Sequence, residues 1–451
     1  MACYYHEFDC SSAPIERVVD LFLDSALRIP CKLLEHIITS ATHSHLEKHG
    51  ILTDHQHGFR QRRSCETSLI TTIHDLTRNL QHNKQIDMIL LDFSKAFDTV
   101  PHNRLLYKLD HYGIRHNTHN WIRQFLTDRK QQVVVEGHTS SSVVVSSGVP
   151  QGTVLGPLLF LLYINDMPDN ISPGTSIKLF ADDAMLYRKI NDQQDSHILQ
   201  TDLNRLIKWE QGWQMSFNPS KCEVMHISRA RSILQTHYTI HNSTLKTVPL
   251  ATHLGIDISS TLSWNDHIKK TSNKANSKLG FLKRNLRSVP HEIKTHAYQS
   301  LVRPHLEYCA SVWDPYTQVN INLLESVQHR AARFTLHNYN WDNRGADLAS
   351  DLGWSTLEQR RTESRLANMY KLTNGLLNIE KEQYLIPGHR NTRANHPLKY
   401  RQLQTQSSYY AYSFFPRTIV QWNRLPGIVV LAADLEGFNF GSHRETLQVS
   451  R

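Results

Sequence analysis

Two aspartates stand side by side in KLFADDAMLYRKI (178–190), inside a run that otherwise alternates apolar and polar like a half-buried strand. Adjacent carboxylates repel, which raises a pKa unless a cation compensates. A divalent metal supplies that compensation, and Mg²⁺ takes one or two carboxylates together with waters and substrate phosphates. Two such ions about 3.5 to 4 Å apart activate an attacking hydroxyl and stabilise the leaving oxygen in phosphoryl transfer. Asp182 and Asp183 need a third carboxylate from another strand, and Asp92, closing the apolar run 86–91, is the candidate. Taken singly, each has an ordinary reading. Asp-Asp is common turn chemistry, Asp92 suits a helix N-cap, and Asp98, ahead of TVPH, is expected to act as one. The set is more specific than its members.

The elements that must position these residues follow from periodicity. The run 86–91 has the length and composition of a buried strand. The acidic pair lies in a tight strand-turn-strand. Two Val-rich strands around a Gly/Ser-rich turn in QQVVVEGHTSSSVVV predict a hairpin, and a Gly/Pro loop, GVPQGTVLGP, leads into the apolar helix LLFLLYIND. Helical spacing predicts a helix packed on a core through Leu33, Leu34, Ile37 and Ile38, and another helix from Cys65 or Glu66, preceded by the basic run holding Arg60, Arg62 and Arg63. From Trp264 onward helices dominate. In 266–286 the residues Ile268, Ala275, Leu279, Leu282 and Leu286 share one stripe, while Lys270, Lys274 and Lys278 recur every four residues on another, suited to solvent or to phosphates.

The 451 residues suffice for two or three domains, and 39% apolar with 20% charged residues suits a folded chain rather than a disordered one. A net charge of +9 with 28 histidines favours a polyanionic partner, of which nucleic acid is the commonest. The six cysteines include no CxxC pair and no short Cys/His cluster, the pattern of reduced intracellular thiols. The start MACYYHEFDC lacks the layout of a signal peptide. VLGPLLFLLYI falls short of the roughly 20 residues needed to span a bilayer, so an intracellular chain, nuclear or cytoplasmic and away from membranes, is expected.

The ordered series LLDFSKAFDTVPH, SSGVPQGTVLGPLLFLLYIND, KLFADDAML, NPSKCEVMHI and HLGIDIS resembles the successive motifs of reverse transcriptases, specifically those of LINE-type, non-long-terminal-repeat retrotransposons of the jockey-like group. The resemblance spans 29–259 and continues more weakly through LVRPHLEYCASVWDP and SFFPRTIVQWNRLP. It implies an α+β, right-hand polymerase: a palm of antiparallel sheet with packed helices, partial fingers, an all-helical thumb and a C-terminal extension. It implies two Mg²⁺ ions held by Asp92, Asp182 and the backbone carbonyl of Phe93, with Asp183 supporting the site. Phe97 falls where the family sets an aromatic ring beneath the incoming sugar, excluding a 2′-hydroxyl. Gly148 and Gly152 would allow close backbone approach, Gln151 would bond near the nucleotide and template base, and Lys221 would lie by the leaving pyrophosphate. HLGIDIS resembles the hairpin that positions the primer end. Arg60, Arg63, Lys270, Lys274 and Lys278 are the candidates for nucleic-acid contact. The expected partners are an RNA template, a DNA primer and deoxynucleoside triphosphates.

The chain departs from the family pattern where an arginine that grips the triphosphate is expected, since spacing sets Phe22 there, with Arg28 nearby. The expected layout is a divergent segment 1–28, fingers and palm 29–259, thumb 260–350 and a helical extension 351–451. About fifty residues before HGFR leave no room for an endonuclease domain, and no cysteine follows Cys309 to form a zinc knuckle, so the chain reads as a polymerase fragment with an altered N-terminus. The activity so implied is RNA-directed DNA polymerisation. The competing reading is a catalytically silent remnant that binds nucleic acid.

Overall fold

The centre of the molecule, seen in a computed structural model, is a five-stranded sheet ordered β5-β4-β1-β3-β2. Its strands are β1 (Gln85–Leu91), β2 (Thr175–Phe180), β3 (Asp183–Ile190), β4 (Glu223–Ile227) and β5 (Lys246–Thr247). Every neighbouring pair is antiparallel except β4 with β5. The structure describes residues 14–340, 342–388 and 396–438, and of 14–28 the backbone alone. Phe22 and Arg28 fall in that backbone-only stretch, outside the described side chains, and residues 389–395 and 439–451 of the expected extension lie outside the described residues.

Strand alternation sorts the core into two layers. Ile86, Met88, Met185, Tyr187, Met225 and Ile227 face α2 (Cys65–Leu80), while Ile89, Leu91, Ala184, Leu186 and Val224 face α3 (His102–His111), α4 (Gly156–Ile164) and α5 (Gln193–Trp213). α2 starts where the sequence predicts. Ser64 Oγ accepts the Thr67 N–H at 3.2 Å and the Thr67 hydroxyl accepts the Ser64 N–H at 2.8 Å, a reciprocal cap. α4 is apolar all round and buried at every residue but Pro157. Among the described residues no helix is long and apolar enough to cross a membrane.

The predicted helix 266–286 is α6 (Asn265–Asn285), and its stripe of Ile268, Ala275, Leu279 and Leu282 is buried. The packing does not divide where the sequence suggests. Trp313, Phe415 and Trp422 from the helical C-terminal part share one core with α2 and the sheet. The boundary expected at 28/29 lies inside α1 (Pro14–Lys48), whereas that at 350/351 falls at the last residue of the helix Gly345–Asp351. Leu33, Leu34 and Ile37 of α1, expected to pack on a core, are exposed instead, because the helix meets the fold through Glu35, Thr42, His43 and Leu46. The Val-rich hairpin forms as two short ladders, Lys130–Gln131 with Val143–Val144 and Val134–Val135 with His138–Thr139, all exposed.

Candidate active site

The acidic pair sits in a two-residue turn. Phe180 pairs with Asp183, leaving Ala181 and Asp182 as the loop between β2 and β3. On the other side of β3, Leu91 pairs with Ala184, so one further step of that register sets Asp92 beside Asp183. By alternation both fall on the sheet face of Met88 and Met185, the α2 side. The three carboxylates therefore meet at one end of the sheet although some ninety residues separate them along the chain.

Asp92 is held by its backbone. Its C=O accepts the Asn218 N–H at 2.8 Å and its N–H donates to Cys222 Sγ at 3.4 Å. Lys221 brings Nζ to 3.3 Å from Asp92 Oδ1, off the direction of a hydrogen bond, so that buried oxygen has no hydrogen-bond partner. Phe93 stacks on Phe217 with centroids 4.6 Å apart and forms an isolated antiparallel bridge with it. The bonds from Asn218 N–H to Asp92 C=O and from Ser94 N–H to Ser216 C=O flank that bridge. Backbone groups alternate sides along an extended strand, so the Phe93 carbonyl turns away from Phe217.

The carboxylates pay an electrostatic penalty for this meeting. Burial pushes the Asp183 carboxyl up to about 6, with the charges of Asp182 and Asp92 adding to the shift. Asp182 is also raised, first by burial and then by Asp92, while a bond to its own backbone and the Lys221 charge pull the other way. Among the described residues no three His, Cys, Asp or Glu side chains already close on one point as a metal cage. The donor set nonetheless fits a hard divalent cation. It is all oxygen, it has an orphaned buried carboxylate oxygen at Asp92, and Mg²⁺ needs only one or two carboxylates when water and phosphates complete the shell.

Around this centre, Phe97 is half-buried and stacks on Phe160 at 4.5 Å with 24° between planes. Its C=O accepts the Val149 N–H at 2.8 Å, which docks the GVPQG loop against 97–101. Gly148, at φ +91, lies so close to Asp98 that a Cβ would sit 2.8 Å from its carbonyl oxygen. Gly152 differs from the expectation of close approach. A Cβ there meets nothing within 4 Å, and only its φ of +79 favours glycine. Gln151 is exposed and donates Nε2 to Asp98 Oδ1 at 3.1 Å. Asp98 is therefore not the helix N-cap expected of it, since Pro101 occupies that position and the Asp98 carboxylate faces the loop.

Two of the basic candidates are corrected. Arg60 is 6% exposed, with Nε on Glu47 Oε1 at 3.0 Å and Nη1 on the Thr53 C=O at 2.8 Å. The Arg63 side chain is 4% exposed and bonds the Asp54 carboxylate and, at 2.5 Å, the Asp54 C=O. Both guanidiniums are consumed in fixing the loop before α2 and are not presented to a polyanion. Lys270 is exposed, yet its Nζ bonds Asp257 Oδ1 at 2.7 Å, while Lys274 and Lys278 lie exposed on the same helix. HLGIDIS forms the hairpin of β6 (Leu250–His253) and β7 (Ile256–Ser259), turned by Leu254 and Gly255 at φ 48 and 78.

A contributor that the sequence reading missed is Glu35. Its Oε2 accepts the Val154 N–H at 2.7 Å and the Leu155 N–H at 3.4 Å, setting a carboxylate at the start of α4 and tying α1 to the GVPQG loop. Its helical spacing marks it only as one more polar residue of α1.

A family model described as "Reverse transcriptase (RNA-dependent DNA polymerase)" matches residues 25–282. Over 369 residues the chain is 27% identical to the probable RNA-directed DNA polymerase from transposon BS of Drosophila melanogaster, covering 77% of this chain and 39% of that protein. It is 26% identical over 333 residues to the RNA-directed DNA polymerase from mobile element jockey of Drosophila funebris, covering 71% and 36%. The chain thus spans less than two fifths of the length of either relative. Among solved structures, apo telomerase from Candida tropicalis aligns with a TM-score of 0.41 at 11% identity over 71% of this chain and 51% of that one.

Proposed function

We propose, from the premise that this chain belongs to the reverse transcriptase (RNA-dependent DNA polymerase) family, that it extends a DNA primer on an RNA template by adding deoxynucleotides to the primer 3′-hydroxyl. The observation that carries this reading is the convergence of Asp92 with the Asp182–Asp183 turn at one sheet end, where carboxylate charge outweighs its compensation. When bound by Asp92, Asp182 and the Phe93 carbonyl, a pair of Mg²⁺ ions would supply positive charge for the attacking oxygen and the transferred phosphoryl group.

The chain's own residues orient and gate this chemistry. Asp183 adds a second carboxylate to the turn and so supports the site that Asp92 and Asp182 form. Lys221 neutralises Asp92 before a nucleotide arrives, and its ammonium is the donor for the leaving pyrophosphate. Phe97, its ring fixed against Phe160, excludes a 2′-hydroxyl and so selects deoxynucleotides. Gln151 and Gly152 present an exposed loop edge to the nucleotide and template base. Lys274 and Lys278, with Lys270 in part, contact phosphates of the primer-template duplex.

Primer extension on an RNA template, comparing wild type with Asp182→Ala/Asp183→Ala, is the direct test. The double variant is expected to bind duplex normally and to lose more than about 10³-fold in incorporation. Undiminished incorporation removes the proposed mechanism.

A further inference from the structure

The turn that carries Asp182 is held from outside its own hairpin. Residues 55–58 run beside β2: the His57 N–H donates to the Leu179 C=O at 2.8 Å, and the Leu179 N–H to the His55 C=O at 2.9 Å. Gln56 is thereby bridged in parallel to Leu179, and it is 2% exposed. Its Oε1 accepts the Ala181 N–H at 2.9 Å and the Gly58 N–H at 2.8 Å, and its Nε2 lies 3.5 Å from the Ala181 C=O. One amide oxygen therefore joins the residue before Asp182 to a separate segment of chain.

Two backbone features make this contact specific. Ala181 adopts φ +52, a region that L-residues avoid and keep only where their surroundings over-determine it. Gly58 approaches so closely that a Cβ would stand 2.4 Å from the Ala181 N. The loop bearing Gln56 is itself braced, because Arg63 Nη1 also reaches the Gln56 C=O at 3.3 Å and Arg60 holds the Thr53 C=O. The two arginines withdrawn from nucleic-acid contact are thus spent on the clamp.

We infer that Gln56 is a positioning residue for the acidic turn: through the Ala181 N–H it fixes where the Asp182 and Asp183 carboxylates point, and so the geometry in which they take metal. It touches no reacting atom. The inference rests on the proposed polymerase reading for its kinetic consequence but not for its structural one. The neutral amide matters, since a carboxylate here would add another negative charge beside a pair already under mutual repulsion.

The test uses the full chain and two substitutions. Gln56→Met removes the acceptor, while Gln56→Glu keeps an acceptor oxygen for the Ala181 and Gly58 N–H groups. In primer extension Gln56→Met is expected to lose about tenfold or more in kcat and to need several-fold more Mg²⁺ for half-maximal rate, with KM for primer-template within about twofold. Gln56→Glu is expected to retain more kcat than Gln56→Met. Hydrogen exchange in metal-free protein should speed up about tenfold or more across 175–190 in Gln56→Met and stay unchanged in α6. Unchanged exchange in the hairpin overturns the clamp. A Gln56→Met variant with wild-type kcat and Mg²⁺ demand, or one changed only in KM, overturns the positioning role. Wild-type protein that incorporates nothing sinks the polymerase reading instead, and the exchange measurement then decides the clamp alone.

Discussion

Two charge clusters in this molecule are built in opposite ways. At the open end of the sheet, Asp92, Asp182 and Asp183 share one nearby ammonium, that of Lys221. In the helical C-terminal part, one carboxylate faces three guanidiniums. Asp314 takes Arg361 Nε at 2.7 Å, Arg365 Nε at 2.8 Å and Arg417 Nη1 at 3.0 Å. Burial alone would raise the Asp314 carboxyl, but Arg365, Arg417 and Arg361 together hold it below the ordinary range. Asp183 moves the other way, since burial and its neighbours both oppose ionisation. Both oxygens of Asp314 are matched within the chain, whereas Asp92 Oδ1 is buried without a hydrogen-bond partner. The inner cluster carries its own excess of positive charge, with Arg361 Nη1 and Nη2 buried without a hydrogen-bond partner, whereas the outer one carries an excess of negative charge.

The sharpest way to break this contrast is to remove a carboxylate from each. Asp314→Ala leaves three arginines facing one another, two of them at most 1% exposed. Stranding buried charge in this way costs about 3–5 kcal/mol. Urea denaturation should report that loss, while Asp182→Ala/Asp183→Ala should keep or gain stability as it loses activity. If Asp314→Ala denatures like wild type, the inner cluster is not what holds the C-terminal helices together.

How far these clusters can be read without coordinates depends on how local their cause is. The β2–β3 hairpin and β1 are legible because alternation and an apolar run fix them within a few residues. The partnership of Asp92 with that hairpin is not local, and only the ordered motif series points to it. Arg60 and Arg63 read as a polyanion site because a basic run shows charge but not reach, and their partners are backbone carbonyls and carboxylates of their own loop. Gln56 and Glu35 leave no mark at all, since the groups they bond lie 125 and 119 residues away in sequence. An uncharged amide has no pattern by which to announce such a partner.

The same distinction between matched and unmatched charge sharpens the reading of α6. Lys270 already faces Asp257, so its ammonium brings little net charge to a phosphate, whereas Lys274 and Lys278 are exposed on the row above it. Changing Lys274 and Lys278 to Gln should lower the slope of log K against log salt for a primer-template duplex by up to about 2. Adding Lys270→Gln should lower it by clearly less than one further unit. Equal contributions from all three would show that the Asp257 contact opens on binding, and no change at all would make the row a solvated face.

The smallest expected effect bears most directly on the charge balance of the outer cluster. Asp183 titrates near 6 in the folded chain against an ordinary 3.8, so ionising it is harder folded than unfolded. That penalty is absent below about pH 4, where the group is protonated in both states, and grows as pH rises towards and past 6. Asp183→Asn should therefore make metal-free protein more stable at pH 7.5, by only about 1 kcal/mol, since Asp183 is exposed and water screens much of the shift. Denaturation at pH 7.5 and pH 4 checks the sign, and the difference should fade at the lower pH. Saturating Mg²⁺ should reverse the ranking, since a cation that binds the folded wild type better than the variant stabilises it more. A variant that is less stable than wild type without metal would mean that Asp183 is matched as Asp314 is, and the outer cluster would then have no need of a cation.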